Sequence, residues 1–189
     1  MKITVNSKIL SAVQAAIDPK DMRAQLRGFY IDASTPNKPM IVGSNGKVMV
    51  SAEVDILSND DIPSPKESIF YPVKVNSRAR DGVAVVIDTA EKTATIDGKT
   101  QNLEQPTTAT AYPDWRRLRA DYDTDNTARK TIGRVSFDVS LIEPISRTLK
   151  KSDFDYPAIF TFGNSENDPI KVSWAEYPLI DCVLMPCRI

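Results

Sequence analysis

The stretch that decides the fold covers residues 2–17, which read KITVNSKILSAVQAAI. Residues 2–5 alternate polar and apolar side chains, as a half-buried strand does. Asn6 or Ser7 then offers a side-chain oxygen for a helix N-cap. Beyond the cap, apolar residues recur at helical spacing, namely Ile9, Leu10, Val13, Ala16 and Ile17. The pattern predicts a strand that leads directly into an amphipathic helix, which the Asp-Pro pair at 18–19 ends.

Three short strands are predicted to follow this helix, at residues 28–33, 40–44 and 48–56. Segments rich in Pro and Asn separate them, and Asn45-Gly46 is a strong signal for a tight hairpin turn. The first unit is therefore a strand, a helix and an antiparallel meander.

The same order of elements recurs twice. In the second copy we predict strands at residues 69–75, 83–89 and 92–96 and a short helix at 76–81. In the third copy we predict a strand at residues 134–139, a helix capped by Ser140, and strands at 159–162, 170–174 and 180–186. One face of that helix carries Leu141, Ile142, Ile145 and Leu149. Pro144 falls in its first turn, where a missing N–H is tolerated.

Thirteen prolines, many short strands and no long crossover helix predict a β-rich α+β fold rather than a doubly wound sheet. Residues 112–130 are rich in Asp, Arg, Asn and Thr, and we expect them to link two domains. The predicted division is a domain at 1–111, a linker at 112–130 and a second, shorter domain at 131–189.

The sequence contains no histidine, which removes the commonest general base and transition-metal ligand. This argues against a hydrolase with a Ser-His or Cys-His pair and against a zinc enzyme. Carboxylates could still hold Mg²⁺, and the nearest cluster is Asp121, Asp123 and Asp125. That cluster lacks the glycine and the terminal glutamate of a calcium loop. We predict a solvated linker there, with no metal and no cofactor, and keep a metal-dependent nuclease as an alternative.

The formal net charge is −1 and the sequence pI about 5.6, which argues against a protein that coats nucleic acid through a large positive excess. Basic and acidic residues are instead concentrated in different parts of the sequence. Residues 113–151 hold nine Lys or Arg against six Asp or Glu, whereas residues 152–189 hold two against six. No apolar stretch approaches the roughly 20 residues that cross a bilayer, so we expect a soluble, cytoplasmic protein without a membrane partner. Cys182 and Cys187 lie five positions apart in a predicted strand, point to opposite faces, and are expected to be free thiols.

Two short segments resemble the bacterial sliding clamps, the ring proteins that hold replication enzymes on DNA. Residues 112–118, YPDWRRL, resemble the aromatic-Pro-Asp-aromatic-Arg-Arg-aliphatic motif between the second and third domains of that family. Residues 183–189, VLMPCRI, resemble the family's closing valines and Met-Pro-Met-Arg-Leu. Residues 43–51 match a Thr-Asp-x-x-x-x-Met pattern of the family more loosely. Taken singly, the first segment fits a turn with a basic edge and the second a strand that completes a sheet; their occurrence together favours the resemblance.

The resemblance implies a groove, built where these two segments meet, that accepts peptide tails of polymerase and clamp-loader subunits. The residues that would line it are Pro113, Arg117, Leu118, Met185, Pro186 and Cys187. Cys187 stands where the family usually has methionine. In that fold, helices line a central hole, so the resemblance implies that Lys8, Arg147, Lys150 and Lys151 face DNA. Any solvated helix face would also carry such residues.

A clamp ring resembles twelve copies of the strand-helix-meander unit. Three copies are visible here, so four chains would complete a ring, and a fourth unit hidden in the linker would restore a ring of three chains. The resemblance implies a non-enzymatic processivity clamp, a homo-oligomeric ring on double-stranded DNA without base-specific contacts. The alternative is a clamp-like protein that forms no ring and competes for the same polymerase and clamp-loader peptides.

Overall fold

Two antiparallel sheets and three short helices make up the described part of the chain. The computed structural model describes residues 1–35, 38–58, 67–75, 82–106, 111–120, 136–149, 158–163, 165 and 167–186. The strands are β1 Lys2–Asn6, β2 Phe29–Asp32, β3 Met40–Ser44, β4 Val48–Glu53, β5 Asp55–Ser58, β6 Glu67–Phe70, β7 Ala84–Asp88, β8 Thr93–Ile96, β9 Lys99–Asn102, β10 Ala158–Phe162, β11 Ile170–Trp174 and β12 Ile180–Leu184. The helices are α1 Ser7–Ala15, α2 Trp115–Ala120 and α3 Glu143–Leu149. The predicted α+β class is confirmed.

Helix α1 begins as the sequence predicts. Asn6 is its N-cap, and the Asn6 side chain accepts a 2.8 Å hydrogen bond from the backbone N–H of Lys8. Leu10, Val13 and Ala16 are fully buried along one side of the helix. That side packs on the first meander. A Cβ added at Gly43 of β3 would lie 2.2 Å from the Val13 carbonyl oxygen, so the helix approaches the sheet as closely as it does because this residue is glycine.

The Asn45-Gly46 turn between β3 and β4 is also confirmed. Gly46 has φ +82°, a left-handed conformation that glycine adopts without strain. The Asn45 side chain accepts hydrogen bonds of 2.9 and 3.0 Å from the backbone N–H groups of Lys47 and Val48. This turn lies beside the end of the last strand, β12, because Leu184 of β12 pairs with Val48 of β4.

The first two units exchange strands reciprocally. The opening strand of the first unit, β1, pairs with β7, the first meander strand of the second unit. The opening strand of the second unit, β6, pairs with β2, the first meander strand of the first unit. The first pairing lies within a five-stranded sheet in the order β5-β1-β7-β8-β9. The second pairing lies at one end of a seven-stranded sheet in the order β10-β11-β12-β4-β3-β2-β6.

The third unit joins the first through the seven-stranded sheet. Strand β12 pairs antiparallel with β4 from Ile180↔Ala52 to Leu184↔Val48, and α3 packs beside α1. Helices α1 and α3 and the inner faces of both sheets enclose one large core. Cys182 is buried in this core as a free thiol, and burial raises the pKa of that thiol. The two predicted domains thus share a sheet and a core in the described chain, and the boundary between them stays a prediction.

Three local predictions are corrected. The strand predicted at residues 134–139 has no strand in its described part, because Val139–Leu141 forms a 3-10 turn. The cap of that turn is Asp138 rather than Ser140, since the Asp138 carboxylate accepts a 2.9 Å hydrogen bond from the Ser140 backbone N–H. Within the predicted linker, Trp115–Ala120 forms α2. The helix predicted at residues 76–81 falls outside the described residues.

One unpredicted strand and one strand boundary also differ. Strand β9 was not predicted, because Lys99–Asn102 carries only polar side chains and gives no apolar alternation. The second-unit strand predicted to reach residue 75 ends at Phe70. No helix within the described ranges combines the length and the apolar character needed to cross a membrane.

Candidate peptide-binding site

The outer face of the seven-stranded sheet, opposite α1, carries a second and smaller apolar cluster. Alternate residues of β2, β3, β4 and β12 point to this face. Its buried members are Tyr30, Met40, Val42, Met49, Trp115 and Val183, with Ile69 and Tyr112 packed against them. We call this set the outer cluster. It brings together one residue of β12, two residues of segment 112–118 and the strands of the first unit.

Two aromatic residues hold segment 112–118 on the outer cluster. The Tyr112 ring stacks on the Tyr30 ring, with centroids 4.5 Å apart and an interplanar angle of 1°. Burial raises the pKa of Tyr112. Trp115, the first residue of α2, is buried against the same strands.

A buried carboxylate fixes the polar side of this contact. The side chain of Asp32, at the end of β2, is fully buried. Its Oδ2 accepts a 3.0 Å hydrogen bond from Trp115 Nε1 and lies 2.5 Å from a guanidinium nitrogen of Arg116. Its Oδ1 accepts hydrogen bonds from the backbone N–H and the hydroxyl of Ser34, at 3.0 and 2.8 Å. Arg116 also donates to the Ser34 hydroxyl, and its guanidinium lies 5.2 Å from the centre of the Trp115 ring.

These contacts settle the charge of Asp32. Burial raises the pKa of this carboxyl, but the hydrogen bonds from Ser34 and Trp115 and the charge of Arg116 together hold the pKa below its ordinary value. Asp32 is therefore ionised at neutral pH, and it is paired rather than isolated in the sheet. The Asp32 carboxylate thereby links the side chains of Trp115 and Arg116 to β2.

The segment that follows β12 runs beside the β3–β4 hairpin. Val183 lies opposite Met49, and Leu184 opposite Val48. The Met185 backbone N–H then donates a 2.9 Å hydrogen bond to the Lys47 carbonyl oxygen. The Met185 side chain is 38% exposed. An accessible thioether thus emerges at the rim of the outer cluster, next to the turn at Gly46.

The structure therefore brings the two segments together through Trp115 and Val183. Of the six residues predicted to line the groove, Pro113, Arg117 and Met185 are exposed and Pro186 is partly exposed. The Arg117 backbone N–H donates a 3.2 Å hydrogen bond to Asp114, which helps to begin α2. Leu118 lies in α2, but its side chain, like all of Cys187, falls outside the described residues. The lining role of these six residues stays a prediction.

Other residues at this site were not predicted from the sequence, namely Tyr112, Trp115, Val183, Met49 and Lys47. Tyr112 and Trp115 lie inside segment 112–118, which the resemblance had already identified. Their large side chains were a signal that both residues could be anchors. Met49 and Lys47 lay in residues 43–51, but only the pairing of β4 with β12 shows that they reach the same place.

The helix positions predicted to face DNA differ from one another. Arg147 is 75% exposed and forms an ion pair with Glu143, one turn earlier on α3. Lys8 is only 8% exposed, so its predicted place on an open polar face of α1 is corrected. At about 100° per residue, Lys8 lies about 40° around the helix from Ala12, which is fully buried, and this side of α1 is covered. Lys150 and Lys151 lie outside the described residues.

No metal site stands out in the described part of the chain, where no three His, Cys, Asp or Glu residues are placed to hold an ion. Asp121, Asp123 and Asp125 fall outside that part. What the geometry offers is a fixed apolar cluster with an exposed methionine beside it, which suits binding of a partner's apolar side chain.

Comparison with solved structures gives the same fold. The sliding clamp of Pseudomonas aeruginosa bound to griselimycin matches all of this chain with a TM-score of 0.65 at 13% identity. The DNA polymerase III beta subunit of Thermotoga maritima matches with 0.64 at 10% identity, and that of Borrelia burgdorferi in complex with a natural product with 0.62 at 15% identity. Each match covers all of this chain but only 66%, 66% and 63% of the respective clamp.

No protein-family model matches the sequence, and no curated protein matches it either. The likeness is thus one of backbone arrangement at low sequence identity. It agrees with the antiparallel sheets and the few short helices of this chain. The chain has the fold of the bacterial DNA polymerase III beta sliding clamps.

Proposed function

We propose that this chain is a DNA sliding clamp, a non-enzymatic and cytoplasmic protein that encircles duplex DNA as a homo-oligomer. A closed ring cannot leave closed duplex, so a polymerase tethered to the ring stays at a high effective concentration near its template. The fold of the solved clamps supports this proposal.

The observation that carries the proposal is the convergence of Trp115 and Val183 in one cluster. In the proposed site, we assign the floor to Val183 and Met49, one wall to Trp115 and Tyr112, and the rim to the exposed Met185 side chain. An apolar floor with a flexible thioether at its edge suits the short apolar motif of a peptide tail, because methionine adapts to different side chains. Proline at 113 and 186 adds rigid surface without an N–H that would need a partner.

The fixed positions of the Trp115 and Arg116 side chains also support peptide binding at this site. Asp32 holds Trp115 and Arg116 by charge-assisted hydrogen bonds, so the wall of the site is ordered before a ligand arrives. A preorganised site loses less conformational entropy on binding. Two of the similar clamps are described with griselimycin or another natural product bound, which supports a ligand-binding surface on this fold.

The DNA contact proposed for this chain involves α3, where Arg147 is exposed, and the basic residues Lys150 and Lys151 that follow it. The excess of basic residues between 113 and 151 supports that side as the one that faces phosphates. Lys8 contributes less than the sequence suggested, because its side chain is buried.

The experiment that tests the clamp is retention on DNA of defined topology. The protein is incubated with nicked circular DNA, a clamp loader and ATP, and the complex is isolated by gel filtration. We expect protein to stay with the circle and to be lost after a restriction enzyme linearises it. Equal retention on circular and linear DNA would contradict the proposal.

The alternative function is a clamp-like protein that forms no ring and competes for clamp-binding peptides. It is favoured by the outer cluster, which residues of a single chain form without a ring partner. Binding of a polymerase peptide by a 21.0 kDa monomer, with no topology-dependent retention on DNA, would favour this alternative.

A further inference from the structure

The turn between β3 and β4 contains the one Asn-Gly pair of the sequence, Asn45-Gly46. Gly46 and Lys47 are exposed in this turn, and Asn45 is partly exposed. Asparagine is one of the thermolabile residues of proteins. Glycine has no Cβ, so its backbone nitrogen meets little steric hindrance when it approaches the side chain of the residue before it. The pair therefore combines a reactive side-chain amide with an unhindered nucleophile.

The reaction that such a pair allows is deamidation through a succinimide. The Gly46 backbone nitrogen loses its proton to hydroxide and attacks Asn45 Cγ. The bond between Cγ and the side-chain nitrogen breaks, and that nitrogen takes a proton from water and leaves as ammonia. Water then opens the five-membered ring. Cleavage between the ring nitrogen and Cγ gives aspartate, and cleavage between the ring nitrogen and the main-chain carbonyl carbon gives isoaspartate.

Two main-chain donors bind the oxygen on which negative charge develops in this reaction. Asn45 Oδ1 accepts hydrogen bonds from the backbone N–H groups of Lys47 at 2.9 Å and Val48 at 3.0 Å. Attack on Cγ converts this oxygen into an oxyanion, and fixed N–H donors stabilise such a charge. The donors also limit rotation of the amide group, which lowers the entropy that the attack must lose.

The attacking nitrogen is held less firmly here than at the other asparagines of the described chain. Those asparagines are Asn6, Asn102 and Asn167. At each of them, the backbone N–H of the next residue donates to a main-chain carbonyl, namely Ser7 to Val83 at 2.8 Å, Leu103 to Lys92 at 2.7 Å and Asp168 to Ser165 at 3.2 Å. The Gly46 N–H donates instead to the Ser44 hydroxyl, at 3.0 Å. A side-chain hydroxyl can rotate away, whereas a carbonyl is fixed in the main chain, so the Gly46 nitrogen is released most readily.

Asn6 provides an internal comparison within the same protein. Its Oδ1 also accepts a hydrogen bond from a backbone N–H two residues later, that of Lys8 at 2.8 Å. The nucleophile beside it differs, however, because Ser7 is 1% exposed, carries a Cβ and begins α1. Asn6 and Asn45 therefore share an acceptor arrangement and differ in the freedom of the attacking nitrogen.

We infer that Asn45 is a site of spontaneous deamidation in the folded protein, and that it reacts faster than Asn6, Asn102 and Asn167. The aspartate product keeps an oxygen that can accept the two N–H hydrogen bonds, so the hairpin persists in that form. The new negative charge lies beside Arg23, whose guanidinium donates a 3.0 Å hydrogen bond to the Asn45 carbonyl oxygen. The inference goes beyond the proposed function, because it concerns the covalent chemistry of a turn, whatever the chain binds.

The test follows the mass of each asparagine-containing peptide during storage of the folded full chain at mildly alkaline pH. Samples are digested in mild acid, where the reaction is slow, and mass spectrometry measures the gain of one dalton that accompanies loss of ammonia and uptake of water. We expect the gain at Asn45 to be about ten-fold or more faster than at the other three sites, because the missing Cβ and the weaker hold on the nitrogen both lower the barrier. In urea the other three sites lose their fixed hydrogen bonds, so the ratio of rates should fall.

Two variants change the nucleophile in opposite directions. Gly46→Ala adds a Cβ beside the attacking nitrogen and is expected to slow the gain several-fold. Ser44→Ala removes the hydroxyl that holds the Gly46 N–H and is expected to accelerate it. The matched control is Gly98→Ala, which changes another glycine with positive φ, in the turn between β8 and β9, and should leave the rate at Asn45 unchanged.

Circular dichroism shows whether each variant folds, and the comparison among the four asparagines of the wild type needs no variant. A gain at Asn45 no faster than at Asn6, Asn102 and Asn167 in the folded wild type would overturn the inference. A rate at Asn45 that is unchanged in both folded variants, Gly46→Ala and Ser44→Ala, would overturn it as well.

Discussion

Trp115 Nε1 donates a 3.0 Å hydrogen bond to Asp32 Oδ2, which joins two residues 83 positions apart in the sequence. Asp32 ends the first meander strand and Trp115 begins the helix of the predicted linker. The bond is buried, and the acceptor is ionised. Segment 112–118 is therefore part of the folded sheet surface rather than a free connection.

Removal of the carboxylate should destabilise the protein. In Asp32→Ala, the Trp115 N–H, the Arg116 guanidinium and the Ser34 hydroxyl lose a charged acceptor. We expect the free energy of unfolding to fall by about 2 kcal/mol, as is typical of a hydrogen bond to a charged group in a buried place. Urea unfolding followed by tryptophan fluorescence measures this change.

The matched control is Glu143→Ala, which removes a carboxylate paired with Arg147 on the exposed surface of α3. Exposed pairs contribute little, so this variant should lose less than about 1 kcal/mol. An equal fall in the free energy of unfolding of the two variants would show that burial does not increase the contribution of Asp32 to stability.

The pH dependence of stability should report the same carboxylate. Because the pKa of Asp32 is lowered by folding from the ordinary 3.8, its contribution to stability is present above about pH 4 and is lost as the pH falls through the lower, folded value. We expect the stability difference between the wild type and Asp32→Asn to be constant from pH 7 to about 4.5 and to shrink below pH 4.

Asp21 also titrates in acid, since hydrogen bonds from Arg23 lower its pKa to about 2, but it is present in both proteins and cancels in the comparison. Urea unfolding at a series of pH values gives the difference. A difference that grows as the pH falls from 4 to 2.5 would contradict the direction of the shift.

Truncation at the rim of the site should weaken peptide binding. In the double variant Met185→Ala with Leu118→Ala, both apolar anchors predicted for the groove are shortened. We expect the Kd for a polymerase-derived clamp-binding peptide to rise several-fold or more, because truncation of an interface anchor often costs over about 1 kcal/mol. Fluorescence anisotropy of the labelled peptide measures it.

Leu179→Ala is the control for this pair. Leu179 is an exposed apolar residue just before β12, at the opposite end of the strand from Met185. An unchanged Kd in the double variant, or an equal rise in Leu179→Ala, would remove the assignment of the groove.

Helix α1 should be sensitive to a single added methyl group beneath it. In Gly43→Ala the new Cβ would overlap the Val13 carbonyl, so α1 or β3 must move. We expect a loss of about 2 kcal/mol or more, within the range of overpacked cores. In Gly98→Ala the new Cβ meets nothing within 4 Å, and only the left-handed backbone at φ +71° opposes it.

The Gly98 variant should therefore lose about 1 kcal/mol, less than the Gly43 variant. Thermal unfolding by differential scanning calorimetry compares the two. The reverse order would show that α1 is free to shift on the sheet.

The sequence predicted those elements whose signals are local. The Asn6 cap, the buried stripe of α1 and the Asn45-Gly46 turn depend on neighbouring residues, and all three are found. The polar strand β9 was missed because pairing with β8 alone makes it a strand. The Lys8 side chain was misplaced because its burial depends on tertiary packing around α1, which helical periodicity does not contain.

The candidate site shows the same division. The residue types in segment 112–118 and in the chain after β12, and the order of the two segments, predicted that both belong to the site. Their meeting point was not, since it depends on Val183 lying opposite Met49 and on a carboxylate from β2 that reaches Trp115. No periodic pattern in the sequence reports a contact between residues so far apart.

The pairing of β1 with β7 has a consequence for synthesis of the chain. Lys2–Asn6 is made first, but its partner Ala84–Asp88 leaves the ribosome roughly 4 to 16 s later at about 5–20 residues per second. Until then, the nascent first unit has an open strand edge and cannot close its core. Nascent chains from which Ala84–Asp88 has not yet emerged should therefore be targets for chaperones and proteases, and the first two units should become resistant together in a single step.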